Sequence, residues 1–136
     1  MRPTLAAGLT HELRFTVPVT KTVPHLYPES PEFAAMPEVF ATGFMVGFAE
    51  WACIQAIAPH LDDGEMSLGT HVDLSHVAAT PPGVEVVARA RPDGVVDLRR
   101  EAQAAAVEAI CAGHHERFVV DRSRFEGGVS RKAAGG

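Results

Sequence analysis

Cysteine is scarce: Cys53 and Cys111 are the only two in 136 residues, they lie far apart, and they match no metal-binding or redox spacing. A disulfide framework is thereby excluded, and both thiols are expected as small core hydrophobes in a reducing cytoplasm. Positive charge is also in short supply, with 12 Lys+Arg against 17 Asp+Glu and a net charge of −5. No basic stripe runs through any expected element, so nucleic acid is excluded as a partner. A ligand carrying phosphates remains compatible, because it needs only a few placed cations. The chain has no basic start followed by an apolar run, so no secretory signal is expected and a cytoplasmic location is. Only the stretch from Val39 to Ala58 approaches membrane-span length. It contains Thr42, Glu50 and Gln55, and a central carboxylate costs about 2.5–3.5 kcal/mol on insertion scales. Pro59 ends it without a cationic flank, so it is expected to be a buried helix of a soluble protein, with no membrane partner.

What is present suits one domain, expected over residues 1–126, with a Gly-, Ala- and Lys/Arg-rich tail at 127–136 expected to be disordered. His11–Thr16 alternates as a first strand. Turn signals from Tyr27 lead into a short helix broken by Pro37, and Gly43–Ala58 reads as the main helix with Thr42 as its N-cap. Asp62-Asp63-Gly64 turns the chain. Met66, Leu68, Thr70, Val72, Leu74 and His76 then share one face of a period-two segment. Further strands are expected at Val84–Ala90, Val95–Gln103 and Val107–Asp121, with turns at Pro92-Asp93-Gly94 and around Ala104–Ala106. One long helix between an opening strand and a run of antiparallel strands is an α+β pattern. The helix carries Phe44, Met45, Val46, Phe48, Trp51, Cys53, Ile54 and Ile57 and has no polar stripe, so it must be covered nearly all round. An antiparallel sheet wrapped around one such central helix is the hot-dog arrangement.

Glu50 is the most informative residue, because it is the only charge in that helix and its neighbours one turn away are Val46, Gly47, Cys53 and Ile54. A buried carboxylate costs several kcal/mol unless it is paired. It is either a satisfied structural group or a general base or nucleophile, and the second reading is the stronger. Thr42 before Gly43 can be a plain helix cap; alternatively, the free N–H groups of the helix N-terminus and the Thr42 hydroxyl can hold an oxygen on which charge develops. His76 lies on the apolar face of its strand, where a histidine is ordinarily a satisfied core residue; beside a carboxylate it becomes an acid/base candidate. The other histidines do not converge: His71 and His76 fall on opposite strand faces, and so do His114 and His115, so no metal is expected. Thr42 and Glu50 are separated by about 12 Å of helical rise and ~80° of rotation. They cannot meet on one straight helix, which places a shared site at a homodimer interface or requires a bent entry to the helix.

The runs HLYPESPEFAAMPEVFATGFMVGFAEWAC, GEMSLGTHVDLSHVAATPPG and GHHERFVV closely resemble the fluoroacetyl-CoA thioesterase family of hot-dog proteins, from about Phe15 to Phe125 without evident gaps. The resemblance implies a homodimer that hydrolyses an acyl-CoA to a free acid and coenzyme A without a cofactor. It places the catalytic threonine, glutamate and histidine on Thr42, Glu50 and His76, the active-site glycine on Gly69, and a lid over the acyl pocket on Phe33 and the segment after it. Met36 stands where that lid is expected to carry a second phenylalanine.

Two routes fit these residues. Thr42 can attack with help from His76 and Glu50, or Glu50 can attack or activate water while Thr42 orients the substrate. In either, backbone N–H groups of Gly43 or Gly69 would stabilise the oxyanion. Arg117, Arg122, Arg131 and Lys132 are the candidate cations for the phosphates of coenzyme A. The competing readings are a hot-dog hydratase, whose Asp-to-His helix pattern is missing, and a non-catalytic protein that binds acyl-CoA or a small acid.

Overall fold

The computed structural model describes Met1, residues 9–101 and residues 107–135. The turn expected at Ala104–Ala106 and the end of the strand expected to reach Gln103 lie outside the described residues. Five strands form one sheet: β1 (His11–Thr16), β2 (Glu65–His76), β3 (Glu85–Ala90), β4 (Val95–Glu101) and β5 (Val107–Asp121), in the spatial order β1-β3-β4-β5-β2. Every neighbouring pair is antiparallel. Between β1 and β2 come a four-residue helix, α1 (Pro31–Ala34), and the main helix, α2 (Thr42–Ile57). The α+β pattern and the single long helix are as expected.

Helix α2 crosses the concave face of the sheet and touches β1, β2, β3 and β4. Met45, Phe48, Ala49, Ala52, Cys53 and Ala56 recur at helical spacing and form its buried side. They pack on Val86, Ala88, Ala90, Val96, Leu98, Ile110 and Cys111 from the strands. Burial pushes the thiols of Cys53 and Cys111 up to about 11, so both are packing groups at neutral pH. The opposite side of the helix is not covered within the chain. Gly43 and Gly47 are exposed, as are Trp51 at 45% and Ile54 at 38%. No helix among the described residues is long and apolar enough to cross a membrane.

Two expectations change. The tail is helical: α3 (Arg122–Ala133) starts where the Asp121 carboxylate accepts the Arg124 N–H, and Arg122 pairs with Glu126 one turn on. Its N-cap and charge pairing outweigh the Gly127-Gly128 pair that suggested disorder. The single face expected for β2 is also interrupted. Gly69 pairs with Arg117 and His71 with Glu116, which leaves Thr70 as an extra residue. Such a bulge reverses the alternation of side chains. Gly69 therefore faces α2 together with Val72, Leu74 and His76, whereas Leu68 pairs with Phe118 on the outer face.

Candidate active site

The first turn of α2 and the end of β2 meet at one point. Thr42 is not the N-cap; Ala41 holds that place, and Thr42 is the first helical residue. Its hydroxyl is instead 2.7 Å from His76 Nδ1. The backbone N–H groups of Thr42 and Gly43 belong to the first helical turn, where no intrahelical acceptor reaches them. A Cβ on Gly43 would stand 3.1 Å from Leu26 Cδ1, so glycine lets Leu26 close over this end of the helix. Val23, Val39, Phe40 and Val77 complete an open pocket of about 270 Å³ around Thr42 and His76. For Nδ1 to accept the Thr42 proton, the other ring nitrogen must carry hydrogen. That Nε2 is buried and has no partner among the described residues. A buried N–H left this way costs about 1–3 kcal/mol.

Glu50 sits two turns further along α2, on a separate constellation. Its side chain is 39% exposed in the single chain, so the expectation of full burial is corrected. Its carboxylate lies 3.6 Å from Arg117 Nη1 and 3.9 Å from His115 Nε2. Both distances exceed a hydrogen bond, so both oxygens remain free to accept one. Arg117 had been a candidate for the coenzyme phosphates, but its side chain is only 4% exposed and each of its three nitrogens already donates a hydrogen bond within the chain. Nε donates to Ser67 Oγ and Nη2 to the Ser67 carbonyl, each at 2.8 Å. Arg122 sits exposed on α3 beside Glu126, and Arg131 and Lys132 lie in the last turn of α3. Arg131 helps line a groove of about 640 Å³ between β5 and α3 that contains none of the catalytic candidates.

Gly69 lies directly over Glu50. A Cβ there would stand 3.0 Å from Glu50 Oε2, 3.1 Å from His115 Cε1 and 3.4 Å from Arg117 Nη1. Gly69→Ala is expected to push the carboxylate aside and lower kcat by about tenfold or more, at an overpacking cost of about 1–3 kcal/mol. Turnover and a thermal melt on the same sample check this, and unchanged kcat in a folded protein would contradict it.

Phe33 stacks on Tyr27 with ring centroids 5.9 Å apart, and Ser30 caps α1 by accepting the Phe33 N–H. Met36 follows α1 and is 51% exposed. Among the described residues no group of three His, Cys, Asp or Glu is placed to hold a metal ion. The cluster of Ser67, His115 and Arg117 around Glu50 was not foreseen as a unit. The one available signal was a second histidine and an arginine at alternate positions of a strand, in HHER.

The fluoroacetyl-CoA-specific thioesterase (FlK) family model matches residues 19–123. The fluoroacetyl-CoA thioesterase of Streptantibioticus cattleyicolor is 51% identical over 130 residues, which cover 93% of this chain and 92% of that protein. A solved variant of a fluoroacetyl-CoA-specific thioesterase in complex with fluoroacetate and CoA is 49% identical and superimposes with a TM-score of 0.76, covering 89% of this chain and 99% of that one. A hot-dog-like protein from Thermanaerovibrio acidaminovorans shares the fold at 17% identity, with a TM-score of 0.71 over 94% of this chain and 93% of that one.

Proposed function

Because the chain belongs to the fluoroacetyl-CoA-specific thioesterase family, we propose that it hydrolyses fluoroacetyl-CoA to fluoroacetate and coenzyme A, with Thr42, Glu50 and His76 as its catalytic residues. The observation that carries this reading is the 2.7 Å contact between the Thr42 hydroxyl and His76 at the N-terminus of α2. The thioester oxygen is received by the free N–H groups of the first turn, where the helix dipole favours negative charge, beside the Thr42 hydroxyl that donates to His76 Nδ1. Glu50, with both oxygens free to accept, draws a proton from water as the water oxygen adds to the carbonyl carbon. The C–S bond then breaks, and the proton held by Glu50 passes to the leaving thiolate, which returns the carboxylate.

The active unit in this proposal is a homodimer. Strand β2 is an edge of the sheet, twelve residues long, and the uncovered side of α2 carries Trp51 and Ile54. An open edge is a template for pairing, and a second β2 running antiparallel would satisfy it. Thr42 meets the His76 end of β2 and Glu50 meets the Gly69 end. These ends are about 20 Å apart along one strand at ~3.3 Å per residue. Antiparallel pairing sets the Gly69 end of one copy beside the His76 end of the other. One site then takes Thr42 and His76 from one subunit and Glu50 and Gly69 from its partner.

Thiol release from a panel of short acyl-CoA substrates tests the reaction. Turnover is expected with the highest kcat/KM for fluoroacetyl-CoA; saturable binding without thiol release would indicate a binding protein instead. One methylene separates substrates by only ~1–3 kcal/mol, and fluorine adds still less volume, so size alone does not produce the preference. We assign part of it to the lid around Phe33 and Met36. A flexible thioether packs more loosely than a ring, so Met36→Phe is expected to sharpen the preference for fluoroacetyl-CoA over acetyl-CoA or leave it level. Equal kcat/KM for the two substrates in the unmodified protein, or a clear loss of preference in Met36→Phe, would contradict this.

A further inference from the structure

We propose that His115 is a positioning residue that acts through Arg117 on Glu50; its catalytic consequence rests on the thioesterase reading above. His115 is 2% exposed and lies on the inner face of β5. Its Nδ1 is 2.9 Å from the His71 carbonyl oxygen. A carbonyl only accepts, so Nδ1 carries hydrogen and donates. Its Nε2 is 3.1 Å from Arg117 Nη1. A guanidinium nitrogen only donates, so Nε2 presents a lone pair. The ring is thus held in one tautomer from both ends, and a second proton would displace the arginine. The approach of His115 Nε2 to Glu50 at 3.9 Å is therefore not an ion pair, because the ring in this arrangement is neutral.

The neutrality of the ring matters to Glu50. The guanidinium is a rigid fork, and here each of its nitrogens has a fixed acceptor: Nε on Ser67 Oγ, Nη2 on the Ser67 carbonyl and Nη1 on His115. A carboxylate in place of His115 would compete with Glu50 for the cation. A protonated ring would crowd a second cation against Arg117. A neutral acceptor orients Nη1 and leaves its charge to the Glu50 carboxylate 3.6 Å away. Glu50 is thereby held over Gly69 by attraction, with its oxygens still free to take a proton. The histidine touches neither the thioester nor water in this scheme; it fixes the group that fixes the base.

The test uses the full chain and fluoroacetyl-CoA. His115→Leu is expected to lower kcat by about ten- to a hundredfold, the scale of one hydrogen bond to a charged group, with KM changed by less than about threefold. His115→Gln, whose side-chain oxygen can take the Arg117 N–H, should recover most of the loss. Full kcat in a folded His115→Leu, or equal damage in His115→Gln, would overturn the proposal. His115→Leu leaves a buried arginine donor unpaired and can fail to fold, so the ¹⁵N NMR signature of the ring in the unmodified protein is measured alongside. Hydrogen on Nδ1 alone supports the proposal; hydrogen on Nε2 overturns it. If the unmodified protein releases no thiol from any substrate, the proposed reaction fails. The ring tautomer and the Glu50–Arg117 spacing in a crystal structure of His115→Gln then still decide the positioning role: a spacing kept near 3.6 Å supports it, and a displaced guanidinium overturns it.

Discussion

Glu50→Gln is expected to fold like the unmodified protein and to lose about two to four orders of magnitude in kcat, the scale at which a positioned acid–base group contributes. The change is nearly isosteric, so the packing under Gly69 is preserved. The amide can still meet Arg117 through its oxygen, but it cannot draw a proton from water. A structural carboxylate predicts the opposite pattern. Arg117 would lose its only nearby anion among the described residues, the melting temperature would fall, and turnover per folded molecule would stay level. Thiol release measured at saturating substrate, with a melt of the same sample, separates the two. Full turnover would make Glu50 a structural partner of Arg117 and end the proposed mechanism.

The special status of Glu50 was legible in the sequence because a lone charge in an apolar helix stands out against its neighbours at three and four residues. The main helix, the strand His11–Thr16 and the turn at Gly94 were legible for similarly local reasons. Gly94 adopts a φ of 92°, and a Cβ there would stand 2.5 Å from the His115 carbonyl oxygen. What surrounds Glu50 was not legible. Ser67 and Arg117 are 50 positions apart and meet only because β2 pairs with β5. The bulge at Thr70 has no sequence marker, yet it decides which face Gly69 and His76 share. Strict alternation would have put them on opposite faces and separated the glycine from the helix. The Thr42 hydroxyl was read as a cap because a cap is local, whereas its observed partner, His76, is 34 positions away. The resemblance carried the three catalytic candidates, while the physical reason for their placement came from the register of two strands.

Mixing inactive parents should restore activity. Thr42→Ala and Glu50→Gln dimers, each nearly inactive alone, are expected to regain about a quarter of the unmodified turnover after equal mixing and subunit exchange, since about half the dimers become mixed and each mixed dimer has one intact site. Thr42 binds His76 at one end of β2, and Glu50 packs at the other end over Gly69. No bend in α2 brings the two together, because Thr42 is already within the helix and its hydroxyl is already engaged. In the proposed dimer a second copy, paired antiparallel through the β2 edge, sets the two ends side by side. In a mixed dimer one site then combines both substituted residues and is inactive. The other combines the intact Thr42 of one subunit with the intact Glu50 of its partner. The double variant Thr42→Ala/Glu50→Gln provides the control: mixed with either single variant, it contributes no intact site under this arrangement and should rescue nothing. Subunit exchange is verified with two differently tagged chains before the assay. If exchange is complete and the two single variants still show no rescue, Thr42 and Glu50 act within one chain, and the interface site is wrong.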